Sequence, residues 1–215
     1  MAAPIRKKLL VEGQDDLYAI VQLMASHVNW GDKRQDWPVV IEAYGGVEKI
    51  LASGSISVEL KSPKVDTLGI VVDADEDFAG RWQRLRSLCG VAAPGLPPDM
   101  PTDGLITQTG DGKRLGIWIM PDNVSRGMLE TFLRYLVPEP EEPIWLRAQE
   151  AVAGAVADGA KCRPHHVDKS NIYTWMAWQD PPGQSFGTAL VSKVLDSRAP
   201  QALPFVKWFR DLYEL

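Results

Sequence analysis

The sequence predicts an α/β fold: a largely parallel central sheet flanked by helices, with a helical C-terminal extension. Three observations predict it. Short apolar runs alternate with helical-period segments through the first half, which is the pattern of βαβ units. The run Ile70-Val71-Val72 is continuously apolar, as expected of a strand buried on both faces. Beyond about residue 140 the strand pattern stops and only helical periodicity remains.

The elements follow in order. A first strand spans about 7–12 around Leu9-Leu10-Val11, and a helix over about 14–28 carries Leu17, Ile20, Val21 and Met24 on one face. WPVVIEAYGG reads as a second strand, about 38–43, stopped by Gly45-Gly46, and VEKILASG as a short helix with a glycine stop. TLGIVVDADED gives a third strand, about 67–73, and FAGRWQRLRSLCG a helix with apolar Phe78, Trp82, Leu85 and Leu88. Residues 91–104 are rich in proline and glycine and form a loop. LITQTGDGKRLGIWIMP is a hairpin turning at Gly110-Asp111-Gly112. VSRGMLETFLRYLVP is a helix with Ser125 as its N-cap and Pro138 marking its end. Further helices are expected at about 142–158, 168–179, 185–196 and 203–213. The division is an α/β core over 1–140 and a helical extension over 141–215 packed on it, together one domain.

The 215 residues carry 45% hydrophobic and 24% charged side chains, a balance suited to a sizeable core, and no apolar run reaches a membrane span. The N-terminus lacks the apolar core and cleavage site of a signal peptide, and two distant cysteines suggest no disulfide framework. A cytoplasmic location fits these features. The net charge of −5 argues against nucleic-acid binding by bulk charge, but not against a site whose carboxylates await a cation.

The chemistry lies in where the apolar runs stop. The first ends on Glu12, beside Gly13, with Asp15 and Asp16 following; the third ends on Asp73-Ala74-Asp75-Glu76-Asp77. Ligands of open α/β sheets bind beyond the carboxyl ends of strands. If the two strands are neighbours, their carboxylates share one crevice. Asp73 and Asp75 alternate on an extended segment and face one side, while Asp77 can cap the next helix. Asp16 returns to the face of Glu12 if the helix starts at once. Clustered carboxylates repel unless a cation joins them, and hard oxygen donors favour Mg2+ or Mn2+. A single acidic strand end reads as helix capping; two of them read as metal binding. Gly13 permits close backbone approach to a bound group.

LLVEGQDD followed by GIVVDADED resembles the Toprim fold of topoisomerases, bacterial primases and OLD-family nucleases. The nearest likeness is to small stand-alone Toprim-like proteins related to the OLD nuclease domain, over about residues 6–180. The resemblance implies that Glu12, Asp73 and Asp75 hold the cation, with Glu12 also acting as general base. Asp16 and Glu130 would complete a second metal position, and Lys169, in HVDKSNIYTWMAWQ, would stabilise charge on the phosphate. The chain departs from those enzymes in carrying no GxxxxGK[ST] segment, no primase zinc ribbon and no room for a topoisomerase tyrosine domain.

The implied function is metal-dependent hydrolysis of a nucleic-acid phosphodiester. Lys113 and Arg114 are candidate substrate contacts, although a hairpin edge often carries such charges anyway. Lys169 and Glu130 also have plain readings as solvated helix residues. His165-His166 reads as loop, and the eight tryptophans as core or interface anchors. Expected partners are a nucleic acid, a protein supplying the missing regulation or ATPase, and a second copy of the chain as a homodimer. The alternative is a non-catalytic Toprim-like module in DNA repair or phage defence. A haloacid-dehalogenase-type phosphatase ranks below both, because its DxD belongs on the first strand.

Overall fold

The computed structural model describes residues 6–52 and 54–215. The first five residues of the N-terminal segment judged above lie outside it. The chain builds β1 (Lys7–Val11), α1 (Gln14–Ala25), β2 (Val40–Ala43), α2 (Val47–Ile50), α3 (Ser55–Lys61), β3 (Thr67–Asp73) and α4 (Phe78–Cys89). It continues through β4 (Leu105–Gln108), β5 (Arg114–Met120), α5 (Leu129–Arg134), α6 (Glu142–Ala157), α7 (Val167–Met176), α8 (Phe186–Val191) and α9 (Leu203–Tyr213). The five strands form one sheet in the order β2-β1-β3-β5-β4. All neighbours are parallel except the β4–β5 hairpin at the edge. The fold is therefore α/β, with a largely parallel sheet between helices and a helical C-terminal part.

Alternation along the strands divides the core in two. Leu9, Val11, Val71, Trp118 and Met120 point to one face, under α1 and the C-terminal helices. Leu10, Leu68, Ile70, Val72, Ile117 and Ile119 point to the other, under α2–α4. With both faces covered, β3 has no polar alternation to show, as expected of a central parallel strand.

The C-terminal helix α9 reaches the sheet through two glycines that face each other in register, Gly69 on β3 and Gly116 on β5. A Cβ on Gly69 would stand 2.2 Å from the Tyr213 hydroxyl oxygen, and one on Gly116 2.3 Å from Leu212. The Tyr213 hydroxyl donates to the Lys8 carbonyl at 2.7 Å, satisfying a polar group that is fully buried.

Several boundaries differ from expectation. The helix α1 ends at Ala25. The segment Ser55–Lys61 forms α3, which the sequence reading left unassigned; only Ile56 and Leu60 are buried along it. Ser125 is not a cap: its N–H and that of Val124 donate to Asp122 Oδ1, closing a turn, and α5 begins after Met128. Asp77 does cap α4, accepting from Gly80 N at 2.9 Å.

Candidate functional site

The strands β1 and β3 lie side by side in parallel, so their carboxyl ends open on one crevice. Glu12 leaves the first and Asp73 ends the second. Glu12 Oε1 accepts the Asp73 N–H at 2.8 Å, which ties one strand end to the other. The helix α1 starts at once, and this returns Asp16 to the crevice, 8% exposed. Its Oδ2 accepts the Gly13 N–H at 3.0 Å, so Asp16 also reaches back as half of a helix cap.

Gly45 and Gly46 come from the end of β2, and both donate to the Glu12 carbonyl at 2.8 Å. Their φ values of +78° and +118° suit glycine. From the far side, the first N–H of α5, on Leu129, donates to Asp73 Oδ1 at 3.0 Å. The next residue, Glu130, is 4% exposed and pairs with Lys169 of α7 at 2.7 Å. A cleft of about 350 Å³ results, lined by Glu12, Gly13, Asp16, Asp73, Glu130 and Lys169.

Burial, aided by the Asp16 and Asp75 charges, pushes the Glu12 carboxyl up to about 7, although the Asp73 N–H works against it. Asp16 rises to about 6, again mainly through burial, with Glu130 and Asp15 adding repulsion. Asp73 is driven well above the usual carboxylate range by burial and by Glu12, Asp16 and Glu130. Burial opposes the Lys169 charge, but its bond to Glu130 outweighs this and leaves its pKa raised. The crevice thus crowds carboxyl groups whose charged forms burial and mutual repulsion disfavour.

Not every expected residue joins. The continuous DxD face does not form, because β3 stops at Asp73 and Asp75 takes a left-handed φ of +54°. It bridges to Gly127, and its Oδ2 accepts from Arg81 Nη2 at 2.6 Å. Lys113 and Arg114 lie at the opposite end of the sheet. Arg114 begins the strand that Met120, beside Asp73, ends, so roughly 20 Å of chain separates them from the crevice. There Lys113 Nζ donates to the last carbonyls around α3, Leu60 and Ser62. Arg114 donates to the Asp211 and Leu212 carbonyls of α9. Both cations cap helix C-termini away from the crevice. His165 and His166 sit in a short exposed turn, with His165 Nδ1 3.7 Å from Glu76.

Three residues escaped the sequence reading. Tyr173 stands one turn beyond Lys169 on α7, its ring 5.9 Å from Lys169 Nζ and its hydroxyl in reach of Asp15. The i,i+4 spacing from Lys169 was a usable signal. Lys49 of α2 brings its Nζ beside Gly45 at the crevice edge. Arg81, four residues after the Asp77 cap, lies close enough to favour the charged form of Glu12.

Among the described residues, no group of three or more His, Cys, Asp or Glu side chains is arranged to hold a metal ion. The local bonding accounts for this. Glu12, Asp16 and Asp73 each lend an oxygen to a backbone N–H, Glu130 is drawn to Lys169, and Asp75 is drawn to Arg81. The donor chemistry nonetheless suits a hard divalent cation, since every anionic group at the crevice is a carboxylate.

A family model described as a protein of unknown function, DUF3226, matches residues 6–214. The chain belongs to the DUF3226 family. No curated protein matches this DUF3226 chain, and no solved structure does. The match spans the sheet, the crevice and the C-terminal helices alike. Among the described residues no helix is long and apolar enough to cross a membrane.

Proposed function

We propose that this chain is a divalent-cation-dependent hydrolase of nucleic-acid phosphodiesters, with a Toprim-like site related to that of OLD-family nucleases. One observation carries the reading. Two adjacent parallel strands lead into carboxylates, Glu12 and Asp73, tied by the Asp73 N–H donating to Glu12 Oε1, with Asp16 and Glu130 crowded against them. Such crowding is costly without a cation and useful with one.

Glu12 and Asp73 would hold Mg2+ or Mn2+, with Asp16 and Glu130 beside them and Asp75 available if it leaves Arg81. The cation would supply charge stabilisation for a phosphate and its leaving oxygen. Glu12, beside the water such a cation would bind, would take its proton as general base. Lys169, fixed by Glu130, presents a positive charge where negative charge develops on the phosphate. Lys49 and Tyr173 stand at the rim, where a nucleic-acid strand would enter. A protein partner that supplies regulation or ATPase activity belongs to the same proposal.

The test is cleavage of supercoiled, linear and single-stranded DNA and of RNA in Mn2+, with Asp73→Asn and Glu12→Gln run beside the wild type. Cleavage by the wild type alone supports the reading. Equal cleavage by all three assigns the activity to a contaminant. Cation binding without turnover on any substrate favours the non-catalytic module.

A further inference from the structure

Beside the carboxylate crevice lies a second cleft, of about 680 Å³, with Arg81 among its lining residues together with Asp75, Asp77, Arg84 and His165. Arg81 is unusual there. Its side chain is only 11% exposed, yet its guanidinium makes one hydrogen bond among the described residues, Nη2 to Asp75 Oδ2. Its Nε is buried without any partner. Arginine has five N–H donors, and burying them unused costs free energy.

A purely structural role explains this poorly. The loop that carries Asp75 is already fixed by its backbone bridge to Gly127, with two N–H to carbonyl bonds of 2.8 Å. The start of α4 is already capped by Asp77. By contrast Arg84, farther out, makes a two-pronged pair with Glu48 at 2.9 and 2.8 Å and is exposed enough for water to meet its other donors. Arg81 is the cation in this cleft whose unused donors are on a nearly buried side chain.

We infer that Arg81 is a phosphate anchor, held by Asp75 until a divalent cation takes that carboxylate. This rests on the cation reading of the crevice and names what the neighbouring cleft receives. Without a cation the cleft is a poor host for phosphate, because Glu48, Asp75, Glu76 and Asp77 outnumber Arg81 and Arg84. When a cation draws Asp75 away, Arg81 loses its counter-charge, and its planar fork matches two phosphate oxygens. Cation and phosphate therefore bind with positive coupling, and the coupling runs through one exchange of partners.

The exchange predicts opposite effects of a single substitution. Removing the Arg81 charge frees Asp75 and lifts a repulsion from the cation, so cation binding tightens while phosphate binding weakens. Calorimetric titration of Mn2+ reads the first effect. Titration of orthophosphate, and separately of a thymidine dinucleotide, with and without saturating Mg2+ reads the second. The two phosphates tell a free-phosphate site from one that needs a diester.

For the wild type, Mg2+ raises phosphate affinity about tenfold or more. For Arg81→Gln, Mn2+ binds several-fold tighter, and the Mg2+ enhancement of phosphate binding disappears. Arg81→Lys keeps the charge, so its Mn2+ affinity stays near wild type while its phosphate affinity falls in part; this variant carries the test if Arg81→Gln does not fold. Phosphate binding by Arg81→Gln equal to wild type, or Mn2+ binding that is unchanged or weaker in the folded variant, overturns the inference alone. Failure of the wild type to bind Mn2+ at all overturns the cation reading and this inference with it.

Discussion

Glu12 combines two roles that a mutation can separate. Its side chain accepts the Asp73 N–H, a structural bond, and its charge adds to a crowded anionic crevice. Glutamine keeps the acceptor and removes the charge. Because the folded-state pKa is raised, from 4.5 to about 7, the folded protein holds this proton more tightly than the unfolded chain does. The stabilisation is therefore full below about 4.5 and is lost as pH rises through 7. Asp16, raised from 3.8 to about 6, acts in the same direction over a lower window. Cation-free protein should thus lose stability between pH 5 and pH 8, on the order of 2 kcal/mol of it through Glu12 alone. Glu12→Gln should flatten that profile and be the more stable protein at pH 8. Thermal melts across the range check it, and a wild-type profile that rises with pH would contradict the burial argument. For Lys169, alanine should cut any cleavage rate about tenfold or more without weakening Mn2+ binding, because its charge meets the transition state. Rate and calorimetric measurements on one preparation separate the two. The meeting of Glu12 and Asp73 at one crevice was legible because each closes an apolar run that reads as a neighbouring strand. Arg81 and Lys49 were not legible, since each looks like an ordinary helix-surface cation until its neighbours are known.

Among the elements, those with long or continuous apolar patterns could be read directly. The strand Thr67–Asp73 and the helix Leu203–Tyr213 stand where the sequence put them. The helix α3 was missed because a short amphipathic element with two buried residues gives little periodicity. The cap of α5 was misplaced because Ser125 resembles an N-cap, whereas Asp122 organises the turn and Asp73 receives the helix's first N–H from outside the segment. The DxD was read as extended, but nothing local announces the left-handed turn at Asp75, which its bridge to Gly127 imposes. The packing of α9 on the glycine pair makes its own prediction. Gly116→Ala drives a methyl into Leu212, and should cost about 1–3 kcal/mol and lower Tm by several degrees. Gly95→Ala, where a Cβ meets nothing within 4 Å but φ is +90°, serves as a control for backbone strain without a clash.

Across the whole molecule, the order of strands decides which charges can act together. Pairing β1 with β3 brings Glu12 to Asp73, as the sequence reading required of neighbouring strands. The same parallel register sends Lys113 and Arg114 to the far edge, where they hold α3 and α9 instead. Sequence placed those two cations in a hairpin but could not say which end of the sheet the hairpin faced. The site also needs the C-terminal helices, because Lys169 comes from α7 and meets Glu130 of α5 only after the chain has folded back over the sheet. The account's central claim is that this convergence exists to hold a divalent cation. Isothermal titration of Mn2+ into the cation-free protein tests it most directly, with Asp73→Asn alongside, since asparagine preserves the acceptor for the Leu129 N–H. The account predicts saturable binding by the wild type and a loss of about a hundredfold in affinity for the variant. Equal affinity in both proteins, or no binding by either, would contradict it.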